Sequence, residues 1–246
     1  MGVLLEDLTW PEAERVLQAE TVVVLPVGAA SKEHGLHLRL DNDARIADHL
    51  RRALLDIPGL AIAPVIGFHH YPAFVAYSGS VSLREATARD LVVDIARSYA
   101  AFGPHRFYAL NTGISTVGAL RAAARELAQE HVLLGWTDLT AALGPAERSI
   151  GHQERGTHAD ETETSLMLHL DPDRVDMAKA VREMPEWKPG GFQRKAGVPG
   201  TLSPSGVFGD PTLATAEKGR RFFEALVQHL RQDLETLRSA KLPATT

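Results

Sequence analysis

The stretch Lys32-Glu33-His34-Gly35, followed by His37, Asp41 and Asp43, gathers two imidazoles and three carboxylates within a dozen residues. A carboxylate beside a neutral imidazole is the donor set for a hydrolytic divalent ion such as zinc, manganese or iron. Such an ion polarises a carbonyl and brings the pKa of a bound water towards neutrality. The cluster comes directly after Thr21–Val27, a β-branched apolar run suited to a strand buried on both faces. Loops at the carboxyl ends of parallel strands are where α/β proteins build sites. The structural alternative is a polar loop in which Asp43 caps the next helix. Capping uses one carboxylate and leaves Glu33 and His34 unexplained. Gly35 permits a backbone conformation closed to other residues, useful where neighbouring side chains must converge.

The other histidines are placed suggestively. The chain has 11 of them in 246 residues. His69 and His70 follow a second apolar run, Leu60–Ile66, and His152 and His158 precede a helix-like segment. Singly, each reads as a surface or hydrogen-bonded structural residue; as pairs near strand ends they point to one edge of a sheet. In His158-Ala-Asp-Glu161-Thr-Glu-Thr-Ser165, Glu161 lies one helical turn after His158, so both can face one site. The alternative is an acid-rich first turn favoured by the helix dipole. After the apolar run Arg106–Leu110 comes Asn111-Thr-Gly-Ile-Ser115-Thr116. Asn111 is a candidate for substrate binding, while Ser115 or Thr116 reads as the cap of the following helix. No G-x-G-x-x-G, Walker A or G-x-S-x-G sequence is present, which leaves nucleotide binding and serine hydrolysis without a local signature.

The elements that must position these residues alternate along the chain. Helix-like segments are expected at Asp43–Asp56, Arg84–Phe102, Val117–Gln129, Thr162–Leu170 and Leu213–Leu237, with a fourth strand at His131–Trp136. Strands separated by such helices imply right-handed crossovers and an α/β fold with a mostly parallel sheet covered on both faces. Residues 1–246 read as a single domain with an irregular Gly- and Pro-rich excursion at about 186–210. The tail after Leu237 is expected to fray. The net charge of −5 gives no basic stripe for nucleic acid. The absence of cysteine excludes disulfides, thiolate nucleophiles and Cys-based zinc sites. The first residues lack signal-peptide features, and no apolar run approaches the roughly 20 residues that span a bilayer. The expectation is a soluble cytoplasmic protein.

Here a family resemblance enters. Leu25-Pro-Val-Gly28 followed by Glu33-His-Gly-x-His37-Leu-x-Leu-x-x-Asp43 resembles the creatininase (creatinine amidohydrolase) signature. In that signature a strand ending in Pro-x-Gly runs into Glu-Gln-His-Gly-Pro-His-Leu-Pro-Leu-x-Thr-Asp. Ser78-Gly-Ser-Val-Ser-Leu83 is similar to the family's Pro-Gly-Thr-Ile-Ser-Leu, and His158–Ser165 to its His-Ala-Gly-Glu-x-Glu-Thr-Ser. Gly206-Val-Phe-Gly-Asp-Pro, running on to Glu217-Lys-Gly219, is similar to its C-terminal motif, and Leu8-Thr-Trp-Pro-Glu12 to its opening.

The resemblance implies a Rossmann-like three-layer α/β/α fold and a homo-oligomer, commonly a hexamer. It also implies a metal-dependent amidohydrolase of a cyclic or linear small-molecule amide, with one or two ions, zinc first and manganese or iron as alternatives. Glu33, His34, Asp43 and Glu161 would hold the metal. His158 and Glu161 would move protons, and His37 and Asn111 would contact substrate. Two departures stand out. Lys32 occupies the position of the family's first glutamate, and the histidine that follows the third strand is missing, with His69 or His70 as candidate replacements. Creatinine is therefore not the expected substrate. The alternatives are a peptidase trimming a modified peptide and a non-catalytic member that binds a small molecule.

Overall fold

The computed structural model describes residues 1–244. Its central sheet has five parallel strands: β1 (Val3–Leu4), β2 (Val22–Val27), β3 (Leu60–Ile62), β4 (Arg106–Asn111) and β5 (Leu133–Trp136), in the spatial order β1-β3-β2-β4-β5. Seven α-helices are described: α1 (Trp10–Val16), α2 (Asn42–Arg52), α3 (Glu85–Ala100), α4 (Val117–Ala128), α5 (Leu139–Ile150), α6 (Glu161–Leu170) and α7 (Ala216–Ser239). Every residue of β2 is buried, as its unbroken apolar sequence demands, because alternate side chains leave on opposite faces. Val22 and Val24 meet Ile46 and Leu50 of α2, Leu166 of α6, and Phe222 and Leu226 of α7. Val23, Leu25 and Val27 meet Val92 and Val93 of α3, Leu120 of α4 and the apolar side of α1. This is the three-layer α/β/α arrangement.

The strand order turns at β2, which has β3 on one side and β4 on the other. The loops leaving β2 and β4 therefore flank the crevice where doubly wound sheets bind ligands. Gly28 lets α2 close over the end of β2: a Cβ there would lie 2.4 Å from the Asp43 carbonyl oxygen.

Several boundaries differ from expectation for identifiable reasons. Helix α2 begins at Asn42 with Asp41 at its N-cap position, so Asp43 lies inside the first turn and caps nothing. Strand β3 stops at Ile62, ahead of Pro64, although Ile66 still bridges to Val27. Thr116 does not cap α4, because its hydroxyl turns back to Asn111 Oδ1 at 2.6 Å and the Gly113 carbonyl at 2.7 Å. Ser115 donates to the His70 carbonyl instead. Helix α5 escaped the sequence reading because Pro145 interrupts its pattern. The excursion is partly ordered by a small parallel pair, β6 (Phe192–Gln193) and β7 (Thr201–Leu202). Its Phe192, with Phe208 just beyond β7, packs on Tyr71, Phe74 and Tyr77. Helix α7 runs to Ser239, past the expected start of fraying at Leu237; the last residues of that tail lie outside the described ones.

Helices α6 and α7 cross where Gly219 faces the Ser165 carbonyl, and a Cβ at Gly219 would lie 1.8 Å from that oxygen. Alanine is the better helix former by up to about 1 kcal/mol, but overpacking a fixed backbone costs about 1–3 kcal/mol. Gly219→Ala is therefore expected to lower the urea midpoint. A higher midpoint would show that the two helices can part.

Candidate active site

The loop after β2 folds back on the start of α2. Gly35 adopts φ +68° to make the turn. His34 Nδ1 lies 2.9 Å from the Lys32 carbonyl oxygen, which only an N–H can satisfy, so Nε2 is left pointing at Asp43 Oδ1, 2.7 Å away. The second Asp43 oxygen, Oδ2, lies 2.7 Å from Lys32 Nζ. Lys32, His34 and Asp43 thus close a ring of contacts, and all three are at most 4 % exposed.

The second half of the site comes from the turn before α6. Ala159, at φ +48°, swings His158 in from the opposite side. His158 Nε2 lies 3.1 Å from Glu33 Oε2, and Nδ1 lies 3.7 Å from Glu163 Oε2. Glu163 also accepts from the Ala159 amide at 2.6 Å, and the other Glu33 oxygen accepts from the Gly35 amide. The His34 and His158 rings are 5.0 Å apart. Phe74 covers them, 4.2 Å from the His158 ring and 4.7 Å from the Lys32 ammonium. Gly206, at φ +81°, brings the excursion so close to Glu33 that no Cβ would fit.

Charge is concentrated here. Burial would raise the Asp43 carboxyl, but His34 and Lys32 outweigh it and hold the group well below the usual carboxylate range. Burial would lower Lys32, yet Asp43 and Glu163 more than compensate, and the ammonium is retained. His158 is likewise pushed down by burial and up by Glu33, with the rise prevailing; Glu33 moves down because His158 outweighs burial. With both imidazoles neutral, the Lys32 ammonium offsets one carboxylate among Asp43, Glu33 and Glu163. The remaining charge requires either imidazolium protons or one divalent ion. His34, His158 and Glu163 each offer a ligand atom, and these atoms lie within 4.8 Å of one another. The donor set fits one ion. His34 Nε2 lies 2.7 Å from Asp43 Oδ1, a separation bridged by either a proton or a bound cation.

The other expected site residues lie elsewhere or play other parts. Glu161 is a correction. It is fully buried, but one oxygen accepts from the His152 and Gln153 amides at 2.7 and 2.6 Å and the other takes the Lys218 ammonium. It locks α6 to α7 and faces away from His158. The one-turn spacing failed because His158 stands outside the helix, beyond the Asp160 N-cap. Glu163 takes the expected place. Its position three residues after that cap, where a glutamate reaches back to the chain before the helix, was the available signal. Asn111 is a second correction: its amide bonds Gly113, Thr116 and Thr137, leaving no free polar atom for substrate. His37 bonds Thr164 Oγ1 at 2.8 Å, while its Nδ1 is buried without a partner and burial pushes the ring down to about 4. His70 bonds the Leu83 carbonyl, His69 packs beside Tyr71, and neither belongs to the group that could hold an ion among the described residues. Two surface hollows lie elsewhere, around Phe223 and Val227 of α7 and around Phe68 and Leu91. The buried charges carry more weight than either hollow, which lacks such groups.

Comparison with known proteins gives the family. The family model described as creatinine amidohydrolase matches residues 6–234. The mycofactocin precursor peptide peptidase of Mycobacterium ulcerans is 33 % identical over 230 residues, covering 89 % of this chain and 82 % of that protein. The creatinine amidohydrolase of Pseudomonas putida is 28 % identical over 257 residues, covering 92 % and 94 %. A creatininase structure in a manganese form superimposes with a TM-score of 0.81 at 24 % identity, covering 98 % of this chain and all of that one. The match over residues 6–234 places the chain in a class of amidohydrolases. Within it, the chain belongs to the creatininase family as a divergent member.

His69 gives a pH test of the surroundings. Both its ring nitrogens are buried without partners, and burial lowers its pKa from 6.5 to about 4. The folded value lies below the unfolded one, so this group's contribution to stability is present above about pH 6.5 and is lost as pH falls towards 4. The loss amounts to roughly 3 kcal/mol at the acid end. Urea titrations from pH 7 to pH 4 should show this slope, and His69→Phe should reduce it, leaving the part that comes from His37, which burial also lowers to about 4. An unchanged slope would mean His69 is not the group responsible.

Proposed function

We propose that this chain hydrolyses a C–N bond in a linear amide, most simply a peptide, using one divalent ion held by His34, His158 and Glu163. The observation that carries the reading is the convergence of those three donors beside the buried Asp43. The peptide substrate is favoured because the more similar named relative is a peptidase, and because the segment after β4 departs from the creatininase pattern. Zinc is the first candidate, manganese or iron the alternatives. Cytoplasmic residence and a homo-oligomer, hexameric as in the family, belong to the same proposal. No helix among the described residues is long and apolar enough to cross a membrane.

When bound, the ion would polarise the scissile carbonyl and acidify a water. The chain's own groups do the rest. The Lys32 carbonyl fixes the His34 tautomer so that Nε2 faces inward. Glu33, held at 3.1 Å from His158 Nε2, orients that ring as an outer carboxylate orients a ligand histidine. Glu33 is also a carboxylate at neutral pH and is placed to accept the water's proton and return it to the leaving nitrogen. Phe74, Phe192 and Phe208 pack over the cluster and shield it from bulk water.

Metal analysis combined with a peptide-cleavage assay tests the reading. One divalent ion per chain is expected. His34→Ala and Glu163→Gln should lose both the ion and activity. Glu33→Gln should keep the ion while hydrolysis falls about 10²- to 10⁴-fold. Glu161→Gln should keep both per folded molecule but melt at lower temperature. A folded protein that binds no ion and cleaves no amide would instead be a ligand-binding member of the family.

A further inference from the structure

The mechanism above leaves Lys32 with only its carbonyl employed. Its ammonium is the unusual part. Lysine is rarely buried unless paired, and here Lys32 is 4 % exposed with Nζ 2.7 Å from Asp43 Oδ2. The Phe74 and Tyr71 rings lie under the charge at 4.7 and 5.8 Å from their centroids, a placement that stabilises a cation and keeps water from it. The main chain is tied as well: the Lys32 amide donates to the Leu40 carbonyl at 2.9 Å. The ammonium therefore sits at one place, on the outer oxygen of Asp43.

We infer that Lys32 is a resident cation, its ammonium holding at Asp43 the position that a second divalent ion would need and so limiting the site to a single ion. A divalent ion bound through Asp43 Oδ2 would share that oxygen with the ammonium, and like charges so close in a buried site repel strongly. The other Asp43 oxygen faces His34 Nε2, on the side of the single ion proposed above. The segment after β4 adds no compensating donor, since Asn111 and Thr116 bond one another and the turn between them. The ammonium thus supplies a positive charge at Asp43 that needs no loading from solution. Its location stands on the geometry alone; its use in hydrolysis rests on the function proposed above.

Charge replacement at position 32 tests this. Metal-stripped protein is dialysed against zinc or manganese ions, and bound metal per chain is measured by elemental analysis and native mass spectrometry. The wild-type chain is expected to take no more than one ion. Lys32→Glu should take one more than wild type, and Lys32→Met, which removes the charge at similar volume, should also gain ion binding at lower affinity. The extra ion should disappear when Asp43→Asn is added to Lys32→Glu. Circular dichroism identifies which variants fold. Zero ions in the wild type and one in Lys32→Glu would uphold the role of Lys32 while sinking the single-ion hydrolase. Two ions in the wild type, one of them lost with Asp43→Asn, would overturn the inference. Folded Lys32→Glu and Lys32→Met that bind no more than wild type would overturn it equally.

Discussion

The Asp43 carboxylate is shared between His34 and Lys32, and the site is organised around it. One oxygen faces the imidazole, the other the ammonium, each at 2.7 Å. A carboxylate buried this deeply is tolerated only when both oxygens are met by positive or polar partners. That requirement dictates much of the local fold. Gly28 must be small enough for the first turn of α2 to approach β2. Gly35 must turn the loop so that His34 and Lys32 reach back over it. The Lys32 carbonyl then closes the ring through His34 Nδ1. Removing Lys32 or Asp43 would leave the other's charge unpaired in the interior.

The second half of the site depends on a different lock. Glu161, Lys218 and the amides of His152 and Gln153 fasten α6 to α7 behind the cluster. With that anchor in place, Ala159 can hold a left-handed conformation and swing His158 inward, while Glu163 reaches back along the helix start. The aromatic roof of Phe74, Phe192 and Phe208 lowers the local polarity, so each charge in the cluster acts on its neighbours more strongly than it would in water. Two positions apart in one helix, Glu163 faces the His34–His158 cluster and Glu161 is buried against α7.

The covered parallel sheet was legible from the alternation of strands and helices, and the three-layer form from the family resemblance. An unbroken run such as Val22–Val27 must be covered on both faces, and alternating helices supply the cover. Pro145 hid α5, since a proline breaks the pattern that announces a helix. His34 and Asp43 were legible because their spacing spans a single strand-end loop. Glu161 was misread because its role depends on where the helix begins, and that is set by the Asp160 side chain and by the packing of α7. Asn111 was misread for a similar reason: a short polar turn can satisfy itself, and composition does not reveal whether it does.

Residue types and order by themselves determined the parallel sheet, the gathering of carboxylates and imidazoles in strand-end loops, and the motifs on which the family resemblance rests. These are local properties, fixed by periodicity and spacing along the chain. The tertiary structure decided which carboxylate of the second motif faces the cluster, that the 186–210 excursion roofs it, and that the Lys32 ammonium lands on Asp43 rather than in solvent. Each of those depends on side chains far apart in sequence meeting in a dry interior. There the cost of an unpaired charge selects one arrangement among several that the sequence allows.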